Sequence, residues 1–192
     1  TLSSSSAASD VYKRQGHTRW AAVGDSLGRV LSAAGAQVSR EFYVNDRGNQ
    51  MDLFGASLRA AALGKPRPED GYHGEYIEDL AKEIVKSNPK FTELAESESI
   101  SAFTQAGYKL QLDQQRKVLD NFGTHFDTWF SERSLYENDF FNHSLDKLKK
   151  QGHVYEQEGA IWLRTTDFGD DKDRVMIKSD GSFAYFASDS AY

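Results

Sequence analysis

Two short stretches near opposite ends of the 192-residue chain hold residue types that could do chemistry. Near the start, Gly16-His17 stands directly before an apolar-periodic segment. A glycine lets a ligand approach the backbone closely. A helix N-terminus offers unpaired N–H groups and a partial positive charge to phosphate, and a histidine there can donate to a phosphate oxygen or to a ribose. The plain alternative is a loop that leads into a helix. Near the end, Tyr185-Phe186-Ala187-Ser188-Asp189 sets a phenol and a carboxylate four residues apart. Tyr185 is expected to end a strand and Asp189 to open the next helix, at the carboxyl end of a sheet strand where α/β proteins collect ligands. A carboxylate so placed suits the planar fork of a guanidinium. Equally, Asp189 could cap the helix while Tyr185 belongs to the core. A third group, Asn45, Asp46, Gly48 and Gln50, follows an apolar run. Asp46 and Gln50 are candidates to line the same sheet edge, although a β-to-α turn with a capping Asp explains Asn45, Asp46 and Gly48 equally well.

The elements that must position these residues follow from periodicity. Trp20, Val23, Leu27, Val30, Leu31 and Ala34 recur at spacings of three and four, which predicts a helix from His17 with one buried stripe, ended by Gly35. Residues 37–44 (QVSREFYV) read as a strand, and 49–63 as a helix. After the breaker Gly64-Lys65-Pro66-Arg67-Pro68, helices are expected at 71–88 and 101–121, and a strand at 125–130. A helix capped by Ser134 should run to about Lys150. Val154–Glu156 and Ala160–Leu163 predict one hairpin; Arg174–Lys178 and Ser182–Phe186, around Ser179-Asp180-Gly181, predict another. Strand–helix–strand order at the start and hairpins later suggest an α/β sheet with a largely helical insertion at about 65–165.

Composition narrows the function classes. Hydrophobic content of 39% and charged content of 27% fit a globular domain, and no run approaches the roughly 18–20 apolar residues that span a bilayer. There is no cysteine, so disulfides and thiolate metal sites are excluded, which fits a reducing compartment. A net charge of −6 argues against a dedicated nucleic-acid-binding module. Residues 1–15 (TLSSSSAASDVYKRQ) have no apolar periodicity or signal-peptide core. They read as a disordered, non-native tail, like a translated adapter, or else as a natural disordered extension. The Asp-Phe-Gly in residues 167–174 (DFGDDKDR) lacks any kinase context and is expected to be an acidic surface loop. His125, His143 and His153 lack metal-ligand spacing, so no protein-bound metal is predicted. Trp129, Trp162 and Phe140-Phe141 are assigned to the core rather than to an RNA-stacking platform.

Three landmarks in order carry a family resemblance. Residues 16–25 (GHTRWAAVGD) resemble the place in the arginyl-tRNA synthetase family where the HIGH-type motif ends and its helix begins. Residues 41–50 (EFYVNDRGNQ) resemble its next landmark. Residues 168–175 (FGDDKDRV), followed by Ser179-Asp180-Gly181 and Tyr185–Asp189, resemble the third. The resemblance covers residues 16–192 and is nearest to bacterial members. It implies a Rossmann-like class I synthetase catalytic domain, partial here, that is cytoplasmic and without membrane or DNA partners. It implies an arginine–tRNA ligase that uses ATP with Mg2+ as substrate, forms arginyl-adenylate and transfers arginine to tRNA(Arg).

Residue by residue, the resemblance gives Gly16 and His17 to ATP, with His17 catalytic, and Tyr185 and Asp189 to the arginine side chain. Asp46 and Gln50 would line the active-site region. A pocket built for guanidinium donors can reject lysine or citrulline by roughly 10⁴-fold, which reduces the need for an editing domain. The sequence departs from the family upstream, where the first motif histidine falls at Arg14 in the odd tail. The KMSKS-type loop and the anticodon-binding domain would lie beyond Tyr192, so the chain alone is expected to be inactive. The alternatives are a non-catalytic nucleotide- or amino-acid-binding module and a different class I aminoacyl-tRNA synthetase.

Overall fold

The computed structural model describes residues 3–192, with side chains at residue 16 and from 18 onward. Helix α1 (Ser3–Ala33) begins well before the expected start at His17. No proline or glycine interrupts residues 3–15, so nothing in the backbone stops the helix from continuing through the stretch set apart as a disordered tail. Its apolar stripe is exposed rather than buried: Trp20 is 80% and Leu27 57% accessible.

The chain then forms β1 (Glu41–Val44), α2 (Asn49–Ala62), α3 (Glu75–Ser87), α4 (Glu96–Asn121) and β2 (Thr128–Ser131). The Arg40 carbonyl accepts from Thr128 N–H, and four residues on the Val44 carbonyl accepts from Glu132 N–H. That constant offset makes the two paired strands parallel. After β2 come α5 (Ser134–Glu137), α6 (Phe140–Lys150), the antiparallel strands β3 (Val154–Gln157), β4 (Ala160–Leu163) and β5 (Arg174–Ile177), and α7 (Tyr185–Ala191). Among the described residues no helix is long and apolar enough to cross a membrane.

The chain divides into two compact units, residues 1–42 with 48–129 and residues 43–47 with 130–192. The first unit holds a helical core. Ile77, Leu80, Ala81 and Ile84 on α3 have amphipathic spacing and pack with Phe54 and Leu58 of α2 and Phe103 of α4. Two glycines let α2 and α4 approach. A Cβ on Gly55 would lie 1.9 Å from Thr104 Oγ1 and 2.8 Å from the Ile100 carbonyl, and one on Gly107 would lie 2.3 Å from Leu58 Cδ1. The aromatic assignment is mixed. Trp129 stacks on Phe42 at 4.5 Å in this unit, but Phe140 is exposed and Trp162 half-buried.

The second unit packs Phe141 and Leu145 of α6, Leu163, Met176 and Ala187 into its own core. The single helix expected over Ser134–Lys150 is broken, because Asp139 adopts a left-handed φ of 60° that an α-helix does not tolerate. The β3–β4 hairpin forms in register Gln157↔Ala160 around Glu158 (φ 53°) and Gly159 (φ 74°), the two positive φ values of a type I′ turn. The second hairpin is shorter than expected. Only a single bridge, Ile177↔Phe183, precedes α7, so Tyr185 starts a helix instead of ending a strand.

The α2–α4 contact yields a prediction. Gly55→Ala should lower unfolding free energy by about 1–3 kcal/mol through overpacking, although alanine is the better helix former. Gly24→Ala, in α1 with nothing within 4 Å of the new methyl, should raise it by about 0.5–1 kcal/mol. Urea unfolding of the two variants checks both signs.

Candidate active site

In the second unit, Asp46 follows β1 and turns its carboxylate inward, with its side chain 1% accessible. It accepts from Ser131 Oγ at 2.6 Å and from Arg133 N–H at 3.0 Å, and the Arg133 guanidinium lies 3.5 Å away. Hydrogen bonds to a charged group are worth about 1.5–3 kcal/mol; here they offset the cost of taking a carboxylate out of water. Asp46 is therefore no helix cap: α2 is preceded by Gly48, with no side-chain cap bond. Gln50 lies exposed in the first turn of α2, in the other unit.

The bonds to Asp46 hold residues 131–133 at the end of β2 and so present Glu132. Its carboxylate accepts a short hydrogen bond from Ser188 Oγ, and Ser188 Oγ also meets Tyr136 Oη at 2.9 Å. Ser188 is buried on the inner face of α7. Arg47 lays its guanidinium 3.6 Å from the centre of the Tyr136 ring and 5.0 Å from that of Phe183. The Tyr43 hydroxyl is pushed up to about 12, first by burial and then by the negative charges of Glu132 and Asp189.

Tyr185 and Asp189 sit four residues apart on α7, which places them on one helical face. Both are exposed, Tyr185 at 86%. The two form an i,i+4 pair on a helix and do not sit at the expected strand–helix junction. Neither of the plainer readings fits: Tyr185 is not core, and Asp189 is four residues inside the helix rather than at its cap. Gly16 and His17 lie inside α1, so the backbone there is committed to the helix ladder and provides no helix N-terminus for phosphate. The His17 side chain lies outside the described residues. Sequence reasoning missed Tyr43, Arg47, Glu132, Tyr136 and Ser188. Ser188, between Tyr185 and Asp189, and Tyr43 and Arg47, inside the landmark at residues 41–50, carried a positional signal; Glu132 and Tyr136 carried none.

The acidic loop after β4 is tied down internally. Arg174 grips Asp170 through Nε at 2.8 Å and Nη2 at 2.9 Å and holds that carboxyl well below the usual range. Asp173 accepts from Thr166 Oγ1 at 2.8 Å and Tyr155 Oη at 2.9 Å. Among the described residues, no group of three or more His, Asp or Glu side chains is placed to hold a metal ion.

The parallel β1–β2 pair, its helical crossover and the site at the strand ends define a partial Rossmann-like α/β catalytic domain of class I tRNA synthetases. Residues 2–192 match the family described as class I tRNA synthetases (R), catalytic domain, and the chain belongs to it. It is 51% identical over 92% of its length to a protein named arginine–tRNA ligase from Renibacterium salmoninarum, and 49% identical over 91% to one from Frankia alni. It spans 32% of each, about a third of the curated relatives it matches. A Campylobacter jejuni structure assigned to the arginyl-tRNA synthetases superposes with a TM-score of 0.81 at 39% identity, covering 92% of this chain and 40% of that one. The Thermus thermophilus arginyl-tRNA synthetase shares the fold at a TM-score of 0.59 and 22% identity, covering 88% of this chain and 31% of that one.

The raised Tyr43 predicts alkaline sensitivity. A phenol is neutral when protonated, and the folded state holds this proton more tightly than the ordinary value of 10.0. Its contribution to stability is therefore complete below pH 10 and is lost as pH rises through the window from 10 to about 12. Tyr43→Phe should flatten that part of the decline, read as the difference between the two denaturant midpoints across the window.

Proposed function

We propose that this chain is a piece of the catalytic domain of an arginine–tRNA ligase, in which α7 recognises the arginine side chain. The observation that carries the reading is the exposed Tyr185–Asp189 pair, with Glu132 giving the same neighbourhood a second negative charge. A guanidinium presents five donors in a rigid plane, and carboxylates match it with charge-assisted hydrogen bonds. The names of the relatives support the same substrate.

In this reading ATP enters with Mg2+ as substrate. The arginine carboxylate attacks the α-phosphorus in line, pyrophosphate leaves, and the arginyl group passes from the adenylate to the terminal ribose of tRNA(Arg). The protein's work is orientation and charge stabilisation, with no covalent nucleophile. Tyr185 and Asp189 hold the side chain so that the α-carboxylate points away from α7. Gly16 and His17 are the candidates for the ATP side, His17 the catalytic one, and Asp46 sets the geometry of the strand end that carries Glu132. Gln50 is the outer lining candidate.

Two outcomes are expected. In a full-length enzyme whose matching stretch is replaced by this sequence, Asp189→Ala should raise the KM for arginine by at least about tenfold, one charged hydrogen bond's worth, and leave the KM for ATP within about threefold. Equal losses for both substrates would remove the assignment. The chain alone should bind ATP more weakly than micromolar in calorimetry, because Gly16 and His17 lie within a continuous helix.

A further inference from the structure

The second unit half-buries three arginines, and one of them lacks an acidic partner among the described residues. Arg133 lies against Asp46 and Glu137, and Arg174 against Asp170 and Asp171. Arg47 makes no hydrogen bond or ion pair with any described residue. Aromatic faces hold it instead. Its guanidinium carbon stands 3.6 Å from the centre of the Tyr136 ring and 5.0 Å from that of Phe183. Stacking uses the flat face of a guanidinium. It leaves the five N–H donors, which lie in the plane, without acceptors. A fork held by its face with its edge unused is suited to a carboxylate or a phosphate, which it meets with two parallel bonds.

The position of Arg47 in the fold agrees with a ligand-binding role. It follows Asp46 in the turn that leaves β1, at the carboxyl end of a strand in a parallel pair. Ligands of α/β sheets gather at that end. Tyr136, against which Arg47 stacks, meets Ser188 Oγ at 2.9 Å, and Ser188 is the residue before Asp189 on α7. One aromatic side chain therefore separates Arg47 from the helix that carries the proposed guanidinium site. Around that helix the unit sets two carboxylates, Glu132 and Asp189, and one unpaired cation. Arginine has the complementary distribution: a cation at the tip of its side chain and a carboxylate at its reacting end.

We propose that Arg47 binds the anionic, reacting end of the substrates of this site. The ligand is an oxyanion, supplied by the α-carboxylate of arginine or by a phosphate of the nucleotide. This assignment rests on the reading of the chain as a piece of an arginine–tRNA ligase, although direct anion binding at Arg47 can be measured without it. Arg47 binds and orients, and no bond is made or broken at it. The plane set by Tyr136 and Phe183 aims its two donors at one oxyanion. A lysine in its place would supply a point charge without that plane.

Two measurements test the assignment. In the 15N-labelled chain, the Arg47 Nε–H resonance is identified by its loss in Arg47→Lys. Acetate or pyrophosphate added at constant ionic strength should move it saturably. The resonance of exposed Arg164, which stands 5.4 Å from the Tyr155 ring, should move little. The second measurement uses the full-length enzyme carrying this sequence. Arg47→Gln should lower kcat/KM at least about tenfold for arginine if the carboxylate is the ligand, or for ATP if a phosphate is. Either loss supports the assignment and identifies the source of the oxyanion. Arg47→Lys should stay impaired for the same substrate. Inhibition by agmatine, which has the guanidinium but no carboxylate, should stay within about twofold, because Tyr185 and Asp189 are intact. The assignment is overturned if neither anion moves the Arg47 resonance, or if both substrates keep their kcat/KM. It is also overturned if agmatine, arginine and ATP weaken together as the melting temperature falls, which would make Arg47 a clamp on the strand end. Failure of the arginine reading looks different: Asp189→Ala then costs both substrates equally while the Arg47 resonance still responds to pyrophosphate.

Discussion

The carboxylate of Asp46 is the joint on which the second unit turns. It sits just past β1, out of water, and reaches residues 85 and 87 positions later in the chain, Ser131 and Arg133. Those bonds fix the course of the backbone as it leaves β2. That course decides where Glu132 points, and Glu132 takes a hydrogen bond from Ser188 on the buried side of α7. The outer side of the same helix displays Tyr185 and Asp189. A chain of polar contacts and short stretches of backbone thus runs from one strand end to the proposed recognition helix. Deep burial makes the first link demanding, because an unmatched carboxylate there would be far less stable than a neutral side chain.

The site is electrostatically uneven in a way that suits a cationic side chain. Glu132 and Asp189 both act on Tyr43, while the nearby Arg47 is spread against the faces of Tyr136 and Phe183. A guanidinium stacked on rings is held by its plane, so its charge stays close to the aromatic faces. The acidic loop after β4 behaves differently. Asp170 and Asp173 direct their acceptors to Arg174, Thr166 and Tyr155, and are parts of a folded turn.

How much of this was legible in the sequence depended on how local the cause was. α2, α3 and the β3–β4 hairpin are written in short-range periodicity and turn residues, and they lie within a few residues of expectation. The break at Asp139 was not legible, since left-handed backbone at an Asp leaves no periodic trace. Landmark residues could be found, but their partners could not: Glu132 and Tyr136 lie more than 50 positions from Ser188 in sequence. The stripe on α1 was read correctly as apolar and wrongly as buried, because periodicity reports which face wants cover and says nothing of what supplies it.

The long crossover between β1 and β2 has a consequence for how the sequence can vary. The Asp46–Arg133 bond closes a loop of 87 residues. The entropy of closing a flexible loop grows only with the logarithm of its length, about 0.6 kcal/mol for each doubling. Adding or removing a helical turn between α2 and α4 therefore changes the closure term by far less than a single charged hydrogen bond contributes. Such segments can lengthen, shorten or diverge in surface without loosening the strand ends they connect, provided that Gly55 and Gly107 still let the two helices meet.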